Sequence, residues 1–216
     1  MKVYRRDEYR LYYIPRTRGS FIVIEGIDGS GKTTLGINIT EYLAKAGESV
    51  YMHAFPDRST KIGKLLDEYL KNTSHFDSKL AHLLFSANRW EFFETFKKRL
   101  LSGQSIILDR YVYSGIAYSM ANGLSHEWCI QSDKGLIEPD LIINIDANPS
   151  CIKQWKEKER YETISFQWNV YYAFKMIADP SWIHIEPYQQ NISFLMERIK
   201  QSIMDCVSGK KQLNFL

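Results

Sequence analysis

Short apolar runs alternate along this chain with longer segments in which apolar positions recur at helical spacing. From Ser20 the first run is FIVIEG, β-branched and without polar alternation up to Gly26, which is how a strand covered on both faces reads. Helical spacing follows over 32–46, with Gly47 as its stop. SVYMHAF predicts a second strand closed by Pro56, and LAHLLFSANRWEFFETFKKRLL one helix running on to Gly103. SIILDR and, after Pro139, DLIINID predict a third and a fourth strand. A basic amphipathic stretch covers 149–160, a helix runs through FQWNVYYAFKMIA, WIHIEP reads as a last strand and ISFLMERIKQSIMDCV as a closing helix. Strands alternating with helices, without repeats or a low-complexity linker, predict one α/β domain over 19–216, a doubly wound parallel β-sheet flanked by helices.

Residues 1–18, MKVYRRDEYRLYYIPRTR, lack that rhythm. They read as a poorly ordered N-terminal extension or an arm packed on the surface. Asp7, Glu8 and the lack of serine argue against a mitochondrial targeting segment, and stacking of its tyrosines on nucleic acid is a weaker third reading.

Composition narrows the class without naming a function. The 216 residues suit one domain on a prior of roughly 150 residues each. Hydrophobic residues at 44% and charged ones at 25% allow a sizeable core. A net charge of +3 is too small for a dedicated nucleic-acid binder, so nucleic acid is not an expected partner. No apolar run approaches the roughly 18 residues of a membrane span, and no signal-peptide pattern opens the chain. Cys129, Cys151 and Cys206 are far apart with no CxxC, which predicts neither a disulfide framework nor a zinc cluster. The expectation is a cytoplasmic protein, with nuclear presence also compatible.

Gly26-Ile27-Asp28-Gly29-Ser30-Gly31-Lys32-Thr33 fits G-x-x-x-x-G-K-[ST], placed after a strand and opening a helix. Glycines let the backbone fold round a phosphate chain with its N–H groups inward, and the helix presents its positive end to the same anion. Lys32 is a point charge for the β- and γ-phosphates, and the Thr33 hydroxyl a ligand for Mg²⁺. The predicted fold is therefore a P-loop NTPase fold. SIILDR ends in Asp109 at the edge of a strand that would lie beside this loop, where a carboxylate could hold Mg²⁺ directly or through water.

Four further features fall at strand ends or on the helix between them: Arg58 in FPDRST, Phe85 and Arg89 four apart in LLFSANRW, Arg110 after Asp109, and YSG at 113–115. An aromatic plate, guanidinium groups and small polar residues suit a ligand with one phosphate and one flat base. Each has a plainer explanation too: Phe85 as a core residue, Arg89 as a surface ion-pair partner, Arg58 in a loop salt bridge with Asp57. Spacing alone stops at a kinase-like enzyme that binds ATP and a second phosphorylated or planar ligand.

In this order, EGIDGSGKTT, FPDRST, LLFSANRWE, DRYVYSGIAYS, GLIEPDLIINID and ERYE…FQ resemble the thymidylate kinases, nucleoside-monophosphate kinases that convert dTMP and ATP to dTDP and ADP. The resemblance runs over 21–167 and is strongest to the eukaryotic and large-DNA-virus branch. It implies that Gly26, Gly29, Ser30, Gly31, Lys32, Thr33 and Thr34 wrap the ATP phosphates, and that Asp28 reaches the 3′-hydroxyl of dTMP. Arg58 and Arg110 would grip the dTMP phosphate, with Phe55 lining the pocket; Phe85 would stack on thymine and Arg89 hydrogen-bond its carbonyl edge. Ser114, Gly115 and Tyr118 would line the base pocket, Tyr161 would lie against the sugar's 2′ edge, and Gln167 would stand close by.

The segment 149–160 would be a LID that closes over ATP, with Lys153 packed on the adenine. The eukaryotic pattern usually has a basic residue at position 29; this chain has Gly29, as the bacterial branch does, and that branch supplies a positive charge from its LID. Lys153, Lys156, Lys158 and Arg160 are the candidates here. The catalytic set so implied is Lys32, Asp109, Arg110 and Arg160, with Thr33 and Asp109 serving Mg²⁺, ATP and dTMP as substrates, and a homodimer as the assembly. The rivals are a deoxynucleoside kinase on a related scaffold, which would have no use for two arginines converging on a phosphate, and a catalytically weak nucleotide-binding module. No NKxD-type guanine-reading motif follows the loop, so a GTPase switch is not expected.

Overall fold

The computed structural model describes residues 18–152, 159–186, 192–209 and 212–216. Lys153, Lys156 and Lys158 of the LID and residues 1–17 of the N-terminal extension lie outside them. In chain order the elements are β1 (Phe21–Gly26), α1 (Lys32–Lys45), β2 (Val50–Ala54), α2 (Lys61–Leu70), α3 (Ser78–Trp90), α4 (Phe93–Leu101), β3 (Ser105–Asp109), α5 (Val112–Ala121), the single turn α6 (His126–Cys129), β4 (Leu141–Ile145), α7 (Ile164–Ile177), β5 (Ile183–Ile185) and α8 (Ile192–Ser208). Short 3₁₀ turns occupy Ile130–Asp133 and Pro149–Cys151.

The five strands form one parallel sheet in the order β2-β3-β1-β4-β5, the doubly wound arrangement expected. β1 is buried at every residue, and alternate residues serve opposite faces. Ile22 and Ile24 join Leu35 and Ile39 of α1, Val170 of α7 and Ile199 of α8; Phe21 and Val23 join Phe96 and Leu100 of α4 and Ile116 of α5. This double coverage explains why the strand sequences show no polar alternation.

Three elements differ from the sequence expectation. The helix expected to run from Leu80 to Gly103 is two, α3 and α4. The N–H of Phe92 turns back to Arg89 O at 3.1 Å, and Phe92 and Phe96 then pack on the imidazole of His53. The sequence expectation contains neither α2 nor α5. α2 is short and contains Gly63, and α5, VYSGIAYSMA, is poor in strong helix formers. No side chain of its own caps α5. The buried carboxylate of Glu25 does so from β1, accepting the N–H groups of Tyr111 (2.9 Å) and Ser114 (3.1 Å) and the Ser114 hydroxyl.

Arg18 is tied into the body by a two-pronged pair with Asp140, at 2.6 Å on each side. Among the described residues no helix is long and apolar enough to cross a membrane.

Candidate active site

The site lies outside the C-terminal ends of β1 and β3, which are hydrogen-bonded neighbours (Ile24 opposite Asp109). Between β1 and α1 the chain turns through Gly29 at φ 70° and Gly31 at φ 97°, left-handed conformations that favour glycine. Lys32 is buried, and its ammonium donates to Ile27 O at 2.5 Å and Ser30 Oγ at 3.4 Å. Burial, with Arg110 nearby, brings its pKa down to about 7 against the pull of Asp28, Asp109 and Glu25. An anion seated in the loop would add to the carboxylates that favour the charged form of this lysine. Gly29, Gly31, Thr33 and Thr34 are exposed along the mouth, and Ser30 is buried beneath.

Thr33 Oγ1 donates to Asp109 Oδ2 at 2.5 Å. The other carboxylate oxygen, Oδ1, is buried with no hydrogen-bond partner among the described residues. One hydroxyl and one under-used carboxylate suit Mg²⁺, which keeps waters and substrate phosphates in its shell instead of an all-protein cage. In keeping with that, no group of three metal-ligating carboxylate, His or Cys side chains occurs among the described residues.

Arg110 links this loop to a second cleft. It has φ 71°, unusual for a residue with a side chain and characteristic of functional positions. Its Nη1 donates to Gly26 O and Ser114 Oγ, both at 3.1 Å, and its Nη2 pairs with Asp28 Oδ1. Gln167, fully buried, holds Asp28 from behind: its Nε2 donates to Asp28 Oδ2 at 2.6 Å and to Tyr161 O at 2.9 Å, and its Oε1 accepts the Asp28 N–H at 3.0 Å. Arg110 and Lys32 together hold the Asp28 carboxyl below its ordinary range despite its burial.

The cleft beyond is lined by Asp28, Phe55, Arg58, Phe85, Arg89, Arg110, Ser114, Gly115, Tyr118 and Tyr161. All these sequence candidates converge there, and Gln167 stands behind them without lining the cleft. Phe85 forms part of one wall with Ala81 and Leu70. Tyr161 is stacked on Phe166 (4.7 Å between centroids, 11° between planes), and its hydroxyl meets Tyr69 at 2.9 Å and Asn122 at 3.2 Å.

Arg160 takes a different place. Its backbone N–H donates to Leu70 O at 2.7 Å, and its guanidinium donates to Tyr69 O and Ser74 O at 2.9 and 3.0 Å, over the Tyr69 ring. It thus binds the carbonyl end of α2 and the turn beyond it, a favourable seat for a cation.

The site also uses residues that the motifs did not single out. Asn88, fully buried, accepts the Asp57 N–H (2.8 Å) and donates to Asp57 O, Thr60 Oγ1 and Glu91 Oε2, fixing the loop that carries Arg58. Glu25 sets the start of α5, which carries Ser114 and Gly115. A lone carboxylate near the end of an otherwise apolar strand was the available signal for Glu25, and the carboxamide inside LLFSANRWE for Asn88.

One anion seat for a phosphate donor and, across Arg110, a separate cleft for a flat phosphorylated acceptor define a P-loop nucleotide kinase. Comparison with known proteins is specific. The family model for thymidylate kinase matches residues 24–199. Thymidylate kinase from Arabidopsis thaliana is 38% identical over 205 residues (90% of this chain, 76% of that protein), and that of Danio rerio 38% over 194 residues (84% and 92%). The structure of thymidylate kinase from Candida albicans superposes with a TM-score of 0.80 at 35% identity, covering 92% of this chain and 98% of that one. The chain belongs to the thymidylate kinase family.

Proposed function

We propose that phosphoryl transfer runs across Arg110, from ATP in the phosphate loop to dTMP in the adjoining cleft. The reaction is that of the family, ATP and dTMP giving ADP and dTDP. Its demand is in-line placement of two anionic substrates and neutralisation of the moving charge. Lys32 and the N–H groups from Gly29 to Thr34 hold the donor phosphates. Arg58 and Arg110 grip the acceptor phosphate, Phe85 stacks on the base and Arg89 meets its carbonyl edge. Asp28, braced by Gln167, receives the sugar hydroxyl, and Tyr161 closes off the 2′ edge. Thr33 and Asp109 would hold Mg²⁺, which supplies charge neutralisation at the transferring phosphoryl when bound.

Gly29 leaves position 29 without the cationic side chain that the eukaryotic pattern usually has there, and the LID, through Lys153, Lys156, Lys158 or Arg160, is the proposed source of that charge. LID closure then also keeps water from the γ-phosphate. A homodimer is proposed through α2 and α3, where Leu65, Leu80, Leu83 and Trp90 are exposed. The cytoplasm is the proposed compartment, in keeping with three free cysteines.

The observation that carries the assignment of roles is Arg110, bonded at once to the phosphate loop, to Asp28 and to Ser114. Arg110→Ala should cut dTMP-dependent ADP formation by about a hundredfold or more while ATP binding changes only a few-fold. Unchanged turnover would overturn it.

A further inference from the structure

Side chains on one face of α3 bind the 3₁₀ turn Ile130–Asp133 and the end of α6 just before it. His82 Nε2 lies 2.9 Å from Cys129 O and 3.0 Å from Ser132 Oγ, Ser86 Oγ donates to Ser132 O (3.0 Å) and Asp133 Oδ1 (2.8 Å), and Trp90 Nε1 donates to Ser132 O (2.9 Å). These contacts hold the Asp133 carboxylate, only 1% exposed, against the guanidinium of Arg89, itself 3% exposed. Arg89 Nε and Nη2 donate to Asp133 Oδ1 and Oδ2 at 3.1 and 2.6 Å. A fork-to-fork pair of this kind fixes the guanidinium plane and commits one edge, leaving Nη1 as the edge not engaged by Asp133. The opposite side is equally constrained: a Cβ placed on Gly115 would lie 2.8 Å from both Nη1 and Nη2. The guanidinium is therefore held flat between Asp133 and the backbone of α5.

We infer that Asp133 is a positioning residue for base selection: it locks Arg89 so that a fixed N–H donor, and no acceptor, faces the base. The inference rests on the assignment of Arg89 to the carbonyl edge. A guanidinium has only donors, so it accepts a base with a carbonyl there and opposes one with an amino group. A mobile arginine could swing away from the mismatch; a locked one cannot. Asp133 itself does not line the cleft.

The test compares dTMP with its analogue in which the 4-carbonyl is replaced by C–H, and with dCMP, on wild type, Asp133→Asn and Ser86→Ala. Wild type should favour dTMP over the analogue by about ten- to a hundredfold in kcat/KM, as a charged hydrogen bond implies. Asp133→Asn should bring that preference to within about threefold through KM for dTMP, leave kcat on the analogue close to wild type, and raise the share of dCMP turnover. Ser86→Ala keeps both charges and should give a smaller loss of preference in the same direction, so the inference stays testable if Asp133→Asn does not fold. An unaltered dTMP-to-analogue ratio in the folded variants, with both substrates slowed equally, means a merely structural pair and overturns the inference. No preference in wild type overturns the assignment of Arg89 itself, and the inference falls with it.

Discussion

The guanidinium of Arg58 grasps the carboxylate of Glu159 with two hydrogen bonds, Nη1 to Oε1 at 2.6 Å and Nη2 to Oε2 at 2.9 Å, while Nη1 also reaches Asp67 at 2.6 Å. Arg58 is the cation assigned to the acceptor phosphate, and Glu159 comes from the C-terminal end of the LID. A carboxylate and a phosphate offer the same pair of oxygens to a guanidinium fork, so on the proposed roles dTMP would exchange one for the other. On the proposed roles, occupation of the acceptor site would free Glu159 from Arg58.

Glu159→Gln should accordingly lower KM for dTMP, with little change in kcat. Arg58 is more than a third exposed, where a pair is worth about 0.2–1 kcal/mol, so the expected drop is about 1.4- to fivefold. Initial rates at saturating ATP measure it, and a KM that stays put or rises contradicts the exchange.

Glu25 links stability to the acceptor site because it caps the helix that begins just after Arg110. In Glu25→Ala the N–H groups of Tyr111 and Ser114 lose their buried acceptor, a loss of about 1–3 kcal/mol. Thermal unfolding should move down by several degrees, and kcat/KM for dTMP should fall at least about tenfold below the melting range as Arg110 and Ser114 shift. A variant with wild-type melting and activity would refute this capping role.

Gly29 marks a second coupling. A Cβ at this position would lie 2.8 Å from Ile152 Cγ2, in a backbone already at φ 70°. An arginine there would press on Ile152 within the LID segment as well as adopt a strained backbone. Gly29→Arg should lose about 1–2 kcal/mol from the left-handed backbone alone, and Ile152→Ala should recover only the share due to the clash. The compensating cation should show itself in single alanine variants of Lys153, Lys156, Lys158 and Arg160, at least one of which should lose about a hundredfold in kcat. If all four stay within a few-fold, the LID is not the source. Arg160→Ala should in any case lower the melting temperature, because its guanidinium binds the end of α2.

His82 gives a pH signature. Burial, reinforced by the charge of Arg89, holds its pKa below the ordinary histidine value. The unfolded chain therefore takes up a proton that the folded one refuses, and stability falls as pH drops from about 6.5 through the folded value. His53 is shifted the same way. Denaturant unfolding of His82→Gln between pH 5 and 7 should show a shallower loss than wild type, and an identical slope would remove His82 from this account.

The phosphate loop, Asp109 and the arginines of the cleft were legible because each sits in a short string whose residue types the chemistry demands. What escaped was held together across the chain. VYSGIAYSMA reads poorly as a helix because its cap is Glu25, far back in β1, and nothing inside the string announces it. Asp133 sits in the unremarkable string QSDKG and acquires its role only where α3 brings Arg89 and Ser86 to it. Arg160 was assigned by position in a basic stretch, whereas its neighbours in space are the carbonyls of α2 and the turn after it.

Recognition of an acceptor phosphate by Arg58 and Arg110 is the centre of this account, and ADP formation from Mg²⁺–ATP with dTMP, dUMP, dGMP, dCMP and uncharged thymidine tests it most directly. Strong turnover with dTMP and none with thymidine is the predicted result. Turnover of thymidine at a comparable rate would contradict it, since a nucleoside has no phosphate for the two arginines to hold.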